Sequence, residues 1–306
     1  MFRRSSSGGG RFTRGESGPT GRRHAASGIF VVLALLGLTV PDAAGAAKVP
    51  SLPAGVAWQY QLQADAGAKF AASGGINVGV CGQPVLGGAC QRARVFSIDL
   101  YDPSGSTPNA AGVRAIRRAG GVAICYVDAG TWESWRPDAG AFPTSFLGRS
   151  NGWPGERWLD IRRPKALLSI MARRVALCQR AGFQAVDFDN VDAYDNVTGF
   201  PLTASEQVSY DRALAALAHH DHMAVGLKND SAQAKSLVSW FDFAIDEQCV
   251  QYHFCATLDP FLRAGKPVYD VEYAGNPSSV CRLAPRGIDV IVKALSLDAL
   301  PWKPCR

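Results

Sequence analysis

The sequence predicts an α/β fold of the (β/α)8 TIM-type barrel class, a single domain preceded by an N-terminal signal peptide. Three observations carry this. Eight short runs rich in β-branched and aromatic residues recur along the chain, and stretches with apolar residues at three- and four-residue spacing separate them. Strands alternating with helices imply a parallel sheet, and eight such units in about 250 residues suit a closed barrel. An open doubly wound sheet would carry a G-x-G-x-x-G turn after its first strand, and none is present there.

Residues 1–46 come first, with six arginines against Glu16 and Asp42, an apolar run from Ile29 to Val40, and the small-residue segment Ala44-Gly45-Ala46. A basic region, an apolar core and an A-x-A site read as a secretory signal peptide cleaved near Ala46. The apolar run is too short for a membrane anchor, which needs about 20 apolar residues. The chain carries a formal charge of +6, of which +4 belongs to this leader, so the mature domain at 47–306 shows no nucleic-acid footprint. Secretion without stable membrane insertion is the expected fate, and a monomer the expected state.

The eight candidate strands are Trp58–Leu62, Val95–Leu100, Val122–Val127, Ala185–Asp189, Ala224–Lys228, Phe243–Glu247, Pro267–Glu272 and Asp289–Leu295. Helical spacing covers Ala110–Ala119, Pro164–Ala181, Ser205–His219 and Ala232–Trp240, with Pro164 suited to a first turn and Gly182 to a stop. The segment Cys81 to Cys90 reads as a hairpin or loop decoration near the first strand. The eight cysteines all follow the leader, in a chain bound for an oxidising compartment. Spacing favours Cys81 with Cys90 and Cys249 with Cys255, and Cys281 with Cys305 would tie down the tail. That leaves Cys125 and Cys178 as a pair or as free thiols. No pair shows the C-x2-C spacing of a zinc site.

The C-terminal ends of barrel strands share one face, and polar residues collect there. The ends carry Asp99; Tyr126 and Asp128; Asp187, Asp189 and Asn190; Lys228 and Asn229; Asp246 and Glu247; and Asp270 and Glu272. A single acid at a strand end is commonly a helix cap, but capping handles poorly a cluster at six successive ends. Two facing carboxylates can divide the cleavage of a glycosidic bond, one attacking or stabilising the sugar carbon and one donating a proton. Asp189, near Lys228, suits the ionised nucleophile. Glu247, after the apolar Phe243-Ala244-Ile245 and beside Asp246, suits the acid/base.

The long loop from Asp128 to Arg163 holds Trp132, Trp135, Trp153 and Trp158, whose indoles can wall a saccharide groove or pack the loop onto the barrel. Acids on the strand-end face of a slightly basic mature chain point to a cationic, amino-bearing polysaccharide as partner. A magnesium or calcium site is a lesser use of the same oxygens. Two other classes compete. One is a secreted carbohydrate-binding barrel without catalysis, disfavoured because both carboxylates are present. The other is a metal-dependent deacetylase or hydrolase built on His219-His220-Asp221-His222, disfavoured because adjacent residues at a helix end diverge and make poor co-ligands.

Several ordered motifs go further: Cys125-Tyr126-Val127-Asp128-Ala129-Gly130 with Glu133, Trp135 and Arg136; Gly182 through Asp192; Gly226-Leu227-Lys228-Asn229-Asp230; Asp246-Glu247-Gln248-Cys249 with Tyr252 and Cys255; and Lys266-Pro267-Val268 leading to Glu272-Tyr273. Together they resemble the endo-α-1,4-polygalactosaminidase family of glycoside hydrolases, family 114, from about Trp58 to Leu295. One departure is Asp187-Phe188 where the family has Glu-Pro. The resemblance implies a (β/α)8 fold, hydrolysis of α-1,4-linked galactosamine polymers, and catalytic carboxylates at Asp189 and Glu247. It also implies sugar contacts at Tyr126, Asp128, Lys228 and Asn229, and no organic or metal cofactor. With the strand-end and loop reading, the expected substrate contacts are Asp99, Tyr126, Asp128, Trp132, Trp135, Asp187, Asn190, Lys228, Asn229, Asp246 and Glu272.

Overall fold

Eight parallel strands form in sequence order: β1 (Trp58–Gln61), β2 (Val95–Asp99), β3 (Val122–Asp128), β4 (Ala185–Asp189), β5 (Ala224–Lys228), β6 (Phe243–Glu247), β7 (Val268–Glu272) and β8 (Ile288–Lys293). Each pairs in parallel with the next. The structure is a computed structural model and describes residues 49–65 and 68–306, within one compact unit, Ala47–Arg306. The expected signal peptide at 1–46 lies outside the described residues.

Local chemistry accounts for the longer helices. In α2 (Ala110–Arg118) the Asn109 side chain accepts the amide of Gly112 at 2.9 Å. Pro164 opens α3 (Pro164–Ala181), and Gly182, at φ +92°, closes it with its amide on Gln179 O. Thr203 and Glu206 form a reciprocal capping box at the start of α4 (Ala204–His220). The remaining helices are short: α1 (Ala68–Ala71), α5 (Ala234–Leu237), α6 (Asp259–Arg263) and α7 (Pro277–Leu283). The expected helix over 232–240 is therefore reduced to α5 and a 3-10 turn at Ser231–Gln233, because the chain must re-enter the sheet at Phe243, where Asp242 N bonds Val225 O.

Aromatic rings fill the barrel. Trp58 and Tyr269 lie 5.4 Å apart between centroids, Phe243 and Tyr269 6.2 Å, and Tyr60 and Tyr126 6.4 Å. Gly226 on β5 leaves the room for this packing, since a Cβ there would meet the Phe243 ring at 2.3 Å.

Two features were not foreseen. Among the described residues no ladder joins β8 to β1; a ninth strand, Trp302–Pro304, pairs antiparallel with β8 at that edge. Side chains close the seam: Trp302 Nε1 donates to Trp58 O at 2.8 Å, Trp58 Nε1 to Asp289 O at 2.7 Å, and Lys293 Nζ to Gln59 Oε1 at 2.7 Å. The loop after β3 also folds into its own three-stranded antiparallel sheet, Thr131–Glu133, Leu147–Ser150 and Glu156–Leu159.

All four cysteine pairs are bridged. Cys81–Cys90 lies beside the Gly82 to Gln91 bridge, Cys249–Cys255 braces the turn after β6, and Cys281–Cys305 ties the tail to α7. Cys125–Cys178 joins β3 to α3, which closes the alternative left open between a bridge and free thiols. No helix among the described residues is long and apolar enough to cross a membrane.

Candidate active site

The strand pleat turns Asp189, Lys228 and Glu247 inward at the C-terminal rim of β4, β5 and β6. Lys228 is fully buried, and its Nζ donates at 2.9 Å to Asp189 Oδ1 and at 2.9 Å to Glu247 Oε2. Those two oxygens are thus no farther apart than twice 2.9 Å. Beneath them the ammonium sits 5.8 Å from the centre of the Tyr60 ring.

Each carboxylate has further donors. Tyr126 OH reaches Asp189 Oδ2 at 2.7 Å, and the Asn190 amide reaches Oδ1 at 2.8 Å. Asn229 Nδ2 reaches Glu247 Oε2 at 2.9 Å, and the Tyr273 hydroxyl closes on Oε1. Burial pushes the Asp189 carboxyl up, but the Lys228 charge and the bonds from Tyr126, Lys228 and Asn190 outweigh it and hold the group below the usual range. For Lys228 burial works downward, and the charges of Asp189 and Glu247 overcome it, keeping the amine well above its ordinary value. Burial, then the neighbouring carboxylates, raise the phenols of Tyr126 and Tyr273 well above their usual range. Both phenols therefore stay protonated and serve as donors.

The residue after each of these strands takes a left-handed backbone: Asn190 at φ 59°, Asn229 at φ 59° and Gln248 at φ 63°. Asparagine tolerates this conformation better than most residues, whereas glutamine carries some strain. The break ends the three strands at Asp189, Lys228 and Glu247. Close approach reinforces the first break, because Gly130 packs so near Asn190 that a Cβ there would lie 1.6 Å from the Asn190 carbonyl oxygen.

Above the carboxylates opens a cleft of about 540 Å³. Asp189, Glu247, Asn190, Asn229, Tyr126, Asp99 and Trp135 line it, all expected as catalytic or contact residues. Of these, Asp99 is engaged by Arg136 at 2.7 and 2.8 Å and forms part of the wall.

The remaining expected contacts do not line the cleft. Asp128 is buried, taking Thr131 N at 2.7 Å and Asn190 Nδ2 at 2.8 Å, and burial with the charges of Glu133 and Asp189 pushes its carboxyl well up. Trp132 donates to Ala139 O under the loop, while Trp153, which is 53% exposed, takes the place on the cleft. Buried Asp187 accepts Ser97 Oγ inside the barrel, and Lys228 lies below the floor. Asp246 faces outward and accepts the Glu247 amide at 3.0 Å, and Glu272 accepts Val250 N at 2.7 Å. The pleat explains this: Glu247 points in, so Asp246 points out, and Tyr273 points in, so Glu272 points out. Together with Asp270, which accepts Cys249 N, these outward acids brace the turn that follows Glu247.

Sequence reasoning missed Tyr60 and Glu156 on the cleft wall, and it gave no contact role to Glu133 and Tyr273, which stood in its motifs. An aromatic one position past the end of β7 was the available signal for Tyr273. Among the described residues, Asp128, Glu133 and Glu156 each place one carboxylate oxygen within 4.8 Å of the others, the arrangement a metal ion would need. Protein groups already serve these oxygens: Asp128 takes Thr131 and Asn190, Glu133 pairs with Arg136 at 2.7 Å, and Glu156 takes Asn151 and Thr131.

An eight-stranded parallel barrel with paired carboxylates at one rim, in a polar cleft with exposed indoles, suits a glycoside hydrolase, and the comparisons show that class. Residues 39–303 match the model of glycoside-hydrolase family GH114, and the chain belongs to that family. The crystal structure of Aspergillus fumigatus Ega3 in complex with galactosamine is 30% identical, with a TM-score of 0.69, covering 84% of this chain and 99% of that one. The glycoside hydrolase domain of PelA from Pseudomonas aeruginosa shares the fold at 14% identity and a TM-score of 0.51, covering 80% of this chain and 96% of that one. Among curated proteins, none matches the sequence.

Proposed function

We propose that this glycoside hydrolase cleaves α-1,4-linked galactosamine-type polysaccharide with Asp189 as nucleophile and Glu247 as acid/base. The observation that carries the reading is the shared Lys228 contact, which sets the two carboxylates side by side at the floor of the cleft. Their nearer oxygens lie below the separation of roughly 6.5 Å that leaves room for an attacking water in inverting enzymes, which supports retention.

In the first step an Asp189 oxygen bonds to the anomeric carbon while the glycosidic C–O bond breaks, and the Glu247 proton goes to the leaving oxygen. In the second, Glu247 takes a proton from water, the water oxygen bonds to the anomeric carbon, and the Asp189 ester bond breaks. An acid/base must exchange its proton with solvent, and the Glu247 side chain is 26% exposed against 16% for Asp189. The pull of Lys228 on Asp189 suits a group that stays ionised and later leaves.

The carboxylates lining the cleft, with Glu156 beside Asp189 and Glu247, favour a substrate bearing ammonium groups, and galactosamine bound to Ega3 supports the same class. Four disulfides support action outside the cell after removal of the signal peptide. The test is incubation of the purified mature chain with deacetylated and fully acetylated galactosaminan, followed by sizing of the fragments. Shortening of the deacetylated polymer is expected; an unchanged size profile for both would reject the substrate.

A further inference from the structure

Beside the catalytic cleft lies a second cavity of about 270 Å³, formed by the loops after β1 and β2. Leu62, Gln63, Asp99, Trp135 and Arg136 line both cavities, so the two adjoin across a shared wall. The shared wall is held firmly. Arg136 grips Asp99 at 2.7 and 2.8 Å and Glu133 at 2.7 Å, and its guanidinium lies 5.5 Å from the centre of the Tyr101 ring.

Trp135 stands on this wall, 51% exposed. Its ring lies against Gly155, where a Cβ would meet Trp135 Cζ3 at 2.9 Å, and the indole lines both cavities. Asp102 contributes a carboxylate to the lining of the second cavity. Its Oδ1 accepts Ser104 N at 3.0 Å and Ser104 Oγ, whereas Oδ2 has no hydrogen-bond partner among the described residues. An aromatic plane with a carboxylate oxygen to spare suits one further amino-sugar ring, the pyranose face against indole and the ammonium on Asp102.

We propose that this second cavity is a subsite for an additional amino-hexose unit of the same polymer, so that the enzyme grips its chain across both cavities. The inference rests on the amino-sugar substrate class proposed above. Occupancy of both cavities requires a chain longer than the scissile pair of sugars, which makes affinity depend on length.

The test uses the full mature protein carrying Asp189→Asn, which binds without turnover, titrated by calorimetry with galactosamine oligomers of increasing length. Kd is expected to fall about tenfold at the length that first reaches the second cavity, a gain ordinary for one well-placed contact set. Adding Asp102→Asn should shrink that step, and adding Asp102→Arg should erase it by placing a cation against the ammonium. Glu247→Gln provides a second inactive background should Asp189→Asn fold poorly. Affinity independent of length, or a step that survives Asp102→Arg, overturns the subsite while leaving the catalytic reading intact. Failure of every oligomer to bind overturns both.

Discussion

Lys228 Nζ lies 2.9 Å from Asp189 Oδ1 although the two residues sit on neighbouring strands 39 positions apart in sequence. The same atom reaches Glu247, so one buried cation organises both carboxylates from below. Lys228→Met is expected to lower kcat/KM by about 100-fold, the scale seen when a preorganised electrostatic group is removed. Because Lys228 holds Asp189 low, its loss should also move the acidic limb of the pH profile to higher pH. A limb that stays in place would show that Lys228 does not set the state of Asp189.

Tyr273→Phe removes the hydroxyl on Glu247 Oε1 and little else. Removing a preorganised donor at a reacting centre costs about 100-fold in kcat, so a loss of that order is expected, with a change in Tm too small to account for it. Steady-state kinetics beside a melting curve separate this from a folding defect.

The interior carboxyl of Asp187 is pushed up to about 7, chiefly by burial, with Lys228 opposing and Asp189 assisting. A carboxyl raised in the folded state binds its proton more tightly there than in the unfolded chain. Its stabilising contribution is therefore complete below about pH 4 and is lost as pH climbs through about 7. Asp246, also raised to about 7 by burial, acts in the same sense. Tm is thus expected to decline from pH 5 to pH 8. In Asp187→Asn the decline should soften by up to about 1.4 kcal/mol per pH unit, and an identical slope in both proteins would contradict the assignment.

Gly130→Ala would drive a methyl into the Asn190 carbonyl, backbone against backbone. The turn after β4 must then shift and carry Asp189 with it. A drop in stability of about 2 kcal/mol and loss of most activity are expected, measured by denaturant unfolding and by rate. Wild-type kinetics in Gly130→Ala would mean that the turn accommodates the methyl without moving the carboxylate.

The bridge between Cys125 and Cys178 ties β3 to α3 across 53 positions. The double variant Cys125→Ala/Cys178→Ala is expected to lose about 2–5 kcal/mol. Peptide mapping under non-reducing conditions checks the connectivity directly; recovery of either cysteine as a free thiol would contradict it.

Much of the scaffold was legible because it rests on local rules. The bounds of β4, β5, β6 and α3 follow from runs of β-branched residues, from apolar spacing, and from Pro164 and Gly182 at the helix ends. The pairing of Asp189 with Glu247 was legible for a topological reason: in a parallel barrel all C-terminal strand ends meet at one rim. The seam was not, since Trp302 and Trp58 are brought together only when the sheet curls shut. Nor was the division of labour among the acids, where Asp128, Asp246 and Glu272 hold backbone or buried partners and the cleft takes Tyr60, Trp153 and Glu156.

By itself, then, the sequence determined the strands, the helices and the two acids that top β4 and β6, since periodicity and strand-end position are properties of neighbouring residues. Only the tertiary structure decided which other side chains reach those acids. Lys228, Tyr126 and Tyr273 converge on them across strands, and that convergence depends on barrel curvature and on left-handed residues that redirect the chain one position beyond each functional group.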